Sequence, residues 1–303
     1  MPELDLLVLG DCNPDLLLTG APAAEFGQRE RIVEDAKLVI GGSGAITACG
    51  AARLGLRTGL IGVVGDDFFG RFMRESLADR GVDISGLLVE GERPTGVSVV
   101  LVRGEDRAIL TALGTVEDLS PRGFERAGLR ARHLHVSSFF LQRRLRGELS
   151  SLLAAVRAAG ATTSIDSNWD PDEEWDGGLL DALRETDILF ANGEEVKRIA
   201  CAEDVEAAAR TLAASDPLVV VKLGRDGAIA VAGEEVTHAA ALEVDVVDTV
   251  GAGDSFDAGF LAGFLDARSL EQSLALACAC GSLSTRAAGG TAAQPTLPEA
   301  TVA

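Results

Sequence analysis

The chain has 303 residues, 47% of them apolar, and a formal net charge of −20. That length suits one large domain or two modest ones and is enough to bury a substantial core. The acidity argues against a general nucleic-acid or anionic-membrane binder, although local backbone amides can still hold a small anion. No apolar run approaches the ~20 residues that cross a bilayer. The Leu4–Leu9 run lacks the length and basic flank of a signal peptide, so the expectation is a cytoplasmic protein.

Leu4 to Gly10 is predicted to be a strand, ending in Asp11, Cys12, Asn13, Pro14 and Asp15. Sheets of alternating strands and helices bind ligands at the carboxyl ends of their strands. Asn13 and Asp15 supply groups there that hydrogen-bond sugar hydroxyls; the same residues are also ordinary turn formers. Asp15 to Ile40 alternates loosely and predicts short strands on a small, partly exposed sheet. Gly41-Gly42-Ser43-Gly44-Ala45 then opens a helix, predicted over Ile46 to Leu54 and stopped at Gly55. It is neither a Walker A loop nor a dinucleotide fingerprint: no Gly-Lys-Ser/Thr follows and the third glycine is missing.

Thr58 to Val64 predicts a strand, and Gly65-Asp66-Asp67-Phe68-Phe69-Gly70 enters a helix that ends at Gly81. Acids at a helix start suit its dipole. After Arg93-Pro94-Thr95-Gly96, the runs Val97–Val102 and Ala108–Thr111 flank a polar turn at Arg103–Asp106 and predict a hairpin. His133 to Ser138 predicts a strand that places His133 and His135 on one face, with no third metal ligand in view. A helix over Glu148–Ala159 and a strand over Thr162–Ile165 follow, the strand ending in Asp166-Ser167-Asn168.

Asp187 to Phe190 predicts a strand leading to Asn192-Gly193-Glu194-Glu195. Asn at a helix cap with Glu three residues on is a capping box. The same oxygens suit a hydrated divalent cation, and the spacing satisfies both readings. Pro217 to Val221 predicts a strand; Lys222 and the turn Gly224–Gly227 follow, then a strand over Ala228–Ala232. The cysteines, at 12, 49, 201, 278 and 280, make neither a metal spacing nor a disulfide framework.

The most informative stretch is Asp248-Thr249-Val250-Gly251-Ala252-Gly253-Asp254-Ser255-Phe256. A β-rich run, Leu242 to Val247, predicts a strand before it, and an apolar helix is predicted over Ser255–Ala267. Glycines at a helix start bring free amides and the positive end of the dipole close to a ligand, which favours an anion such as phosphate. Asp254 in that turn either caps the helix or takes the proton of a hydroxyl that attacks the phosphate. An Ala-rich helix, Leu270 to Ala287, then runs to Gly289-Gly290. Strands alternate with helices throughout, which predicts an α/β protein with a mainly parallel sheet and helices on both faces.

Asp248 to Asp254 resembles the second signature of the ribokinase / phosphofructokinase-B family of sugar kinases. Gly41, Gly42 and Ala48 resemble its first Gly-Gly-x-x-x-Asn-x-Ala region, with Ile46 standing where the family has Asn. Gly65-Asp66-Asp67, Asp166/Asn168, Asn192/Glu195 and Gly224/Gly227 are similar to further family segments, in the same order. The resemblance implies a ribokinase-like three-layer fold with a small β-sheet lid. On that reading residues 1–303 form one domain, with a core of about 1–12, 38–90 and 112–303 and a lid of about 13–37 and 91–111.

It implies an ATP-dependent kinase that phosphorylates a hydroxymethyl group of a small sugar. Asp254 would be the base and Gly251, Ala252 and Gly253 the anion hole. Asn13, Asp15, Gly41, Gly42, Ile46 and Asp166 would face the substrate. Asn192, Lys222, Gly224, Gly227 and Gly253 would lie along the nucleotide. Asn192 and Glu195 would hold Mg2+, partly through water, and Asp248 and Val250 a monovalent cation, K+. The lid offers a homodimer contact. A nucleoside kinase of the same family, with Ile46 as an apolar wall for a base, and a sugar or nucleotide sensor on this fold are the alternatives.

Overall fold

The computed structural model describes residues 4–23, 26–103, 106–214 and 217–302. The first half of the chain forms strands β1 (Leu4–Leu9), β2 (Asn13–Thr19), β3 (Asp35–Gly41), β4 (Thr58–Ile61), β5 (Val63–Gly65), β6 (Leu88–Glu90), β7 (Val97–Arg103), β8 (Asp106–Ala112) and β9 (Ala131–Val136). The second half adds β10 (Thr162–Asp166), β11 (Ile188–Asn192), β12 (Leu218–Lys222), β13 (Ala228–Ala232) and β14 (Glu235–Ala239). The helices are α1 (Ser43–Arg53), α2 (Phe68–Asp79), α3 (Pro121–Ala127), α4 (Arg143–Ala158), α5 (Leu179–Leu183), α6 (Gly193–Ala200), α7 (Val205–Ala213), α8 (Ala252–Leu265), α9 (Leu270–Ser284) and α10 (Leu297–Val302).

The main sheet has the order β14-β13-β12-β11-β10-β9-β1-β4. It is parallel from β4 to β12 and antiparallel at β13 and β14. Its central strands are near-continuous apolar runs, as strands covered on both faces must be. Alternation along β1 shows the two layers. Leu6 and Val8 join a core with α1, α2, α8 and α9, whereas Leu7 and Leu9 join one with α4, α5, α6 and α7. A smaller sheet, β3-β2-β7-β8, stands apart from the main one, and Leu17 and Val100 pack on Val250 beneath it.

Several boundaries differ from expectation. Leu242 to Val247 is not a strand. The amides at its two ends bond to α9 and its C-cap instead: Leu242 N donates to Ser282 Oγ, and Val247 N, with Asp248 N after it, donates to the Thr285 carbonyl. The run Thr58–Val64 breaks at Gly62, where an added Cβ would meet the Gly10 carbonyl at 2.8 Å. Beyond it β5 pairs with β6 rather than extending the main sheet. Helices α1, α4 and α8 begin earlier than their apolar stripes suggest, because their opening Gly, Arg and Ala residues are already helical. The hairpin over β7 and β8 is present, but residues 104 and 105 of its turn lie outside the described residues. His133 and His135 are core groups hydrogen-bonded to Thr162 and Ser164. Among the described residues no helix is long and apolar enough to cross a membrane.

Candidate active site

The carboxyl ends of β1, β10, β11 and β12 meet the N-termini of α1 and α8, the place where sheets of this kind bind ligands. At α8 the N-cap is Gly251, in the left-handed region at φ 72°, with no side-chain cap bond. A Cβ there would lie 2.6 Å from Gly290 Cα, so the turn requires glycine. Asp254 sits in the first turn and is 9% exposed. It is not the cap of its helix. Burial, then the charge of Asp166, pushes its carboxyl up to about 7, against the opposing pull of Lys222.

Lys222 ends β12 and reaches into a nest of acids. Its Nζ lies 3.1 and 3.2 Å from the two oxygens of Asp257 and 3.4 Å from Asp166 Oδ2. Carboxylate oxygens of Asp166, Asp254 and Asp257 all lie within 4.8 Å of one another. Burial pulls the ammonium's pKa down, but Asp166 and Asp257 hold it above the usual lysine range. Lys222 and its neighbours in turn keep Asp166 low despite its burial. Asp257, fully buried, is pushed well up by desolvation.

At the other Gly-rich helix start, Gly42 is the N-cap at φ 79° and gives no side-chain bond. Asp11 supplies it instead: its carboxylate accepts from Ser43 N at 3.0 Å and Gly44 N at 2.9 Å. Asn13 and Asp15 are buried on β2 beside this turn. Asn13 Nδ2 donates to Ser98 Oγ at 3.2 Å. A Cβ on Gly41 would strike the Asp15 carboxyl, and one on Gly42 would approach Asn13 Oδ1 at 3.1 Å. Burial and the charge of Asp11 raise Asp15 to about 7. Asn13, Asp15, Gly41 and Gly42 are therefore one packed group, with Ser98 beneath it.

Ile46 does not line open space. It is 3% exposed, and Cβ atoms on Gly251 and Gly290 would meet its side chain at 3.0 and 2.6 Å. It underlies the signature turn, and Gln294 Nε2 ties its carbonyl to Ser255 Oγ. Asp166 faces Lys222 and Asp257, while Asn168 Nδ2 bridges Ser43 Oγ and Ser138 Oγ.

Asn192 and Glu195 form a complete capping box at α6: Asn192 Oδ1 accepts from Glu194 N and Glu195 N, and Glu195 accepts from Asn192 N and Nδ2. Burial and Asp166 raise Glu195 to about 7. Asn192 N, Asn192 Nδ2 and Glu195 N are each engaged, while the carboxylate oxygens keep spare lone pairs; that set fits a hydrated cation held partly through water. Gly224 and Gly227 bound a turn closed by Leu223 N on the Gly227 carbonyl. Gly227 is pressed against the Ala239 carbonyl, whereas Gly224 is open. Asp248 accepts from Val250 N and from Gly289 N at 2.8 Å, tying the signature loop to the chain after α9.

A model of the pfkB family of carbohydrate kinases matches residues 4–297. The chain is 34% identical to a fructokinase of Klebsiella pneumoniae over 95% of both proteins. The chain belongs to the pfkB carbohydrate kinases. It is a phosphotransferase with an alcohol group as acceptor. Another relative, an ATP-dependent ribose-1-phosphate kinase of Halopiger xanaduensis, is 33% identical over 84% of this chain and 82% of that protein. An E. coli protein of ribokinase type, solved in complex with ATP and Mg2+, superimposes with a TM-score of 0.85 over 99% of this chain and 98% of that one, at 24% identity. The fold of this kinase is thus the ribokinase-like three-layer one.

Sequence reasoning missed Asp11 as a cap, Ser98 and Asp257. Asp257 had a signal: it lies one turn from Asp254, on the same face of an otherwise apolar helix. Asp11 had a weaker one, an acid at a strand end before a helix start. Ser98 had none, because only sheet pairing brings it opposite Asp15.

Proposed function

We propose that this carbohydrate kinase transfers the γ-phosphate of ATP to a hydroxymethyl group of a small sugar, with Asp254 as general base. The observation that carries this reading is the start of α8, where a buried carboxylate raised to about 7 stands in a helix entry that no side chain caps. A base poised near neutrality is matched to taking a hydroxyl proton. In the step, the hydroxyl oxygen bonds to the γ-phosphorus and its proton goes to Asp254. The bond from the γ-phosphorus to the β–γ bridging oxygen breaks, and ADP leaves. The amides of Ala252, Gly253 and Asp254 donate hydrogen bonds to the transferring group and stabilise its charge, as preorganised donors do.

Asn13, Asp15 and Gly42 grip the sugar, and Asp166 acts on it through Lys222. Gly224, Gly227 and Lys222 border the nucleotide phosphates. Asn192 and Glu195 would hold Mg2+, partly through water, and the ion would neutralise phosphate charge when bound. The loop that Asp248 ties to Gly289 is the scaffold for K+, which a potassium dependence of the rate would reveal. The sheet β3-β2-β7-β8 serves as the lid: it carries Asn13 and Asp15, and its exposed Ile109 and Leu110 offer the homodimer contact. Similarity to a fructokinase and a ribose-1-phosphate kinase supports a small sugar as acceptor. The nucleoside reading leaned on Ile46 as a wall for a base, and its burial beneath Gly251 removes that support.

The test is ADP release from magnesium-ATP with a panel of ketoses, aldoses, sugar acids, sugar phosphates and nucleosides. One compound class is expected to stimulate release, and Asp254→Asn is expected to lower kcat by about 10²–10⁴ while ATP still binds. Near-full activity in Asp254→Asn would sink the base assignment, and stimulation by nucleosides alone would replace the sugar.

A further inference from the structure

We propose that Lys222 and Asp257 act as one unit, in which Asp257 anchors the Lys222 ammonium against Gly253 and so adds a fixed positive charge to the amide-lined turn. This rests on the kinase reading above and deepens it. The geometry has three parts. The atoms nearest to a Cβ built on Gly253 would be those of the Lys222 stem and head, with Nζ at 3.5 Å, so the side chain lies along the turn itself. Asp257 grips Nζ with both oxygens from one turn further along the same helix. Asp166 holds it from β10.

A purely structural ion pair is a poor explanation. Asp257 is fully buried in a helix whose core-facing residues beyond its first turn are otherwise apolar. Replacing a buried pair by packed apolar groups is often neutral or stabilising, so stability alone gives little reason to keep it. Composition does not explain the lysine either. The chain has 27 Lys and Arg residues but lysines only at 37, 197 and 222. Lys37 and Lys197 pair with sequence neighbours, Asp35 and Glu194. Position 222 needs a slim stem beside a glycine and a compact charge, which arginine does not offer.

The charges facing this ammonium are Asp166 on β10, Glu195 on α6, and Asp254 and Asp257 on α8. Asp11, beyond β1, also acts on Asp254. One carboxylate oxygen from each of Asp166, Asp254 and Asp257 lies within 4.8 Å of the others, a grouping that could hold a cation. Lys222 fills it with a tethered cation, so the turn can meet a polyphosphate without the repulsion of bare acids.

The experiment compares Lys222→Met, Asp257→Asn and the double variant for kcat, sugar KM and Tm, with Asp254→Asn as control. Lys222→Met is expected to lower kcat by about 10²–10³ with little change in sugar KM. Asp257→Asn is expected to lower it by about 10–100-fold, as removal of an outer partner does. In the double variant Tm should recover relative to Lys222→Met, because no unpaired carboxylate remains at 257. Its kcat should stay at the Lys222→Met level, since residues acting as a unit are not additive. Recovery of kcat along with Tm would reduce the pair to a structural one, and multiplied losses in the double would make Asp257 independent; either result overturns the proposal. An active Lys222→Met beside an inactive Asp254→Asn overturns it alone, whereas an active Asp254→Asn overturns the underlying base assignment.

Discussion

The helix starts of α1 and α8 read alike in sequence and differ in the one respect that matters. Both open on glycines of positive φ, Gly42 and Gly251, and neither has a capping side chain of its own. Yet α1 is closed by a carboxylate from elsewhere in the chain: Asp11 takes the amides of Ser43 and Gly44. Among the described residues no carboxylate takes the first amides of α8, and only the Ala252 amide bonds locally, to the Thr249 carbonyl. An anion-binding helix start is made as much by what the rest of the chain withholds as by its glycines.

Breaking the open turn should have the larger effect. Gly251→Ala would force a side chain into the left-handed region, costing about 1–2 kcal/mol, and its methyl would lie 2.6 Å from Gly290 Cα. The turn must move, and displaced donors are expected to cost about 10²–10³ in kcat. Unchanged kcat at a lowered Tm would show that the turn only shapes the helix.

Opening the closed turn should have a smaller effect. Asp11→Ala leaves two amides without their partner and is expected to cost about 1–2 kcal/mol of stability, measured as a lower unfolding midpoint. It should also make α1 resemble α8. Inorganic phosphate is then expected to raise the Tm of the variant more than that of the parent. Equal shifts would mean that Asp11 is not what keeps anions away from α1.

The contrast also marks what the sequence could convey. The parallel sheet was legible because β1, β11 and β12 are apolar runs between turn residues, and the signature turn was legible because glycine, alanine and aspartate fall at fixed spacing. The state of each helix start was not legible. Asp11 lies 32 residues before Ser43, and only the return of the chain through the smaller sheet brings them together. Ile46 was legible only in part for the same reason: its spacing suggests a substrate position, while its packing against Gly251 and Gly290 depends on a loop more than two hundred residues away. Leu242 to Val247 has strand composition, but its end amides bond to Ser282 on α9 and to Thr285 just beyond it rather than to a strand.

The smallest effect expected is the finest test of how the two starts communicate. Asp254 must be ionised to act as a base. Its carboxyl is raised to about 7 by burial, then by Asp166, with Asp11 adding to the rise and Lys222 opposing it. The acid limb of kcat/KM should therefore lie near pH 7, with activity rising as pH increases through it. Asp11→Asn removes a like charge and keeps one accepting oxygen for α1. The ionised form of Asp254 becomes easier to reach, so the limb is expected to move to lower pH. Lys222→Met removes an opposing cation, and its limb should move to higher pH and further, because Lys222 outweighs Asp11 in its effect on Asp254. If both variants shift the limb the same way, charge is not what links the closed helix start to the open one. If Asp11→Asn leaves the limb in place while lowering Tm, Asp11 serves α1 alone.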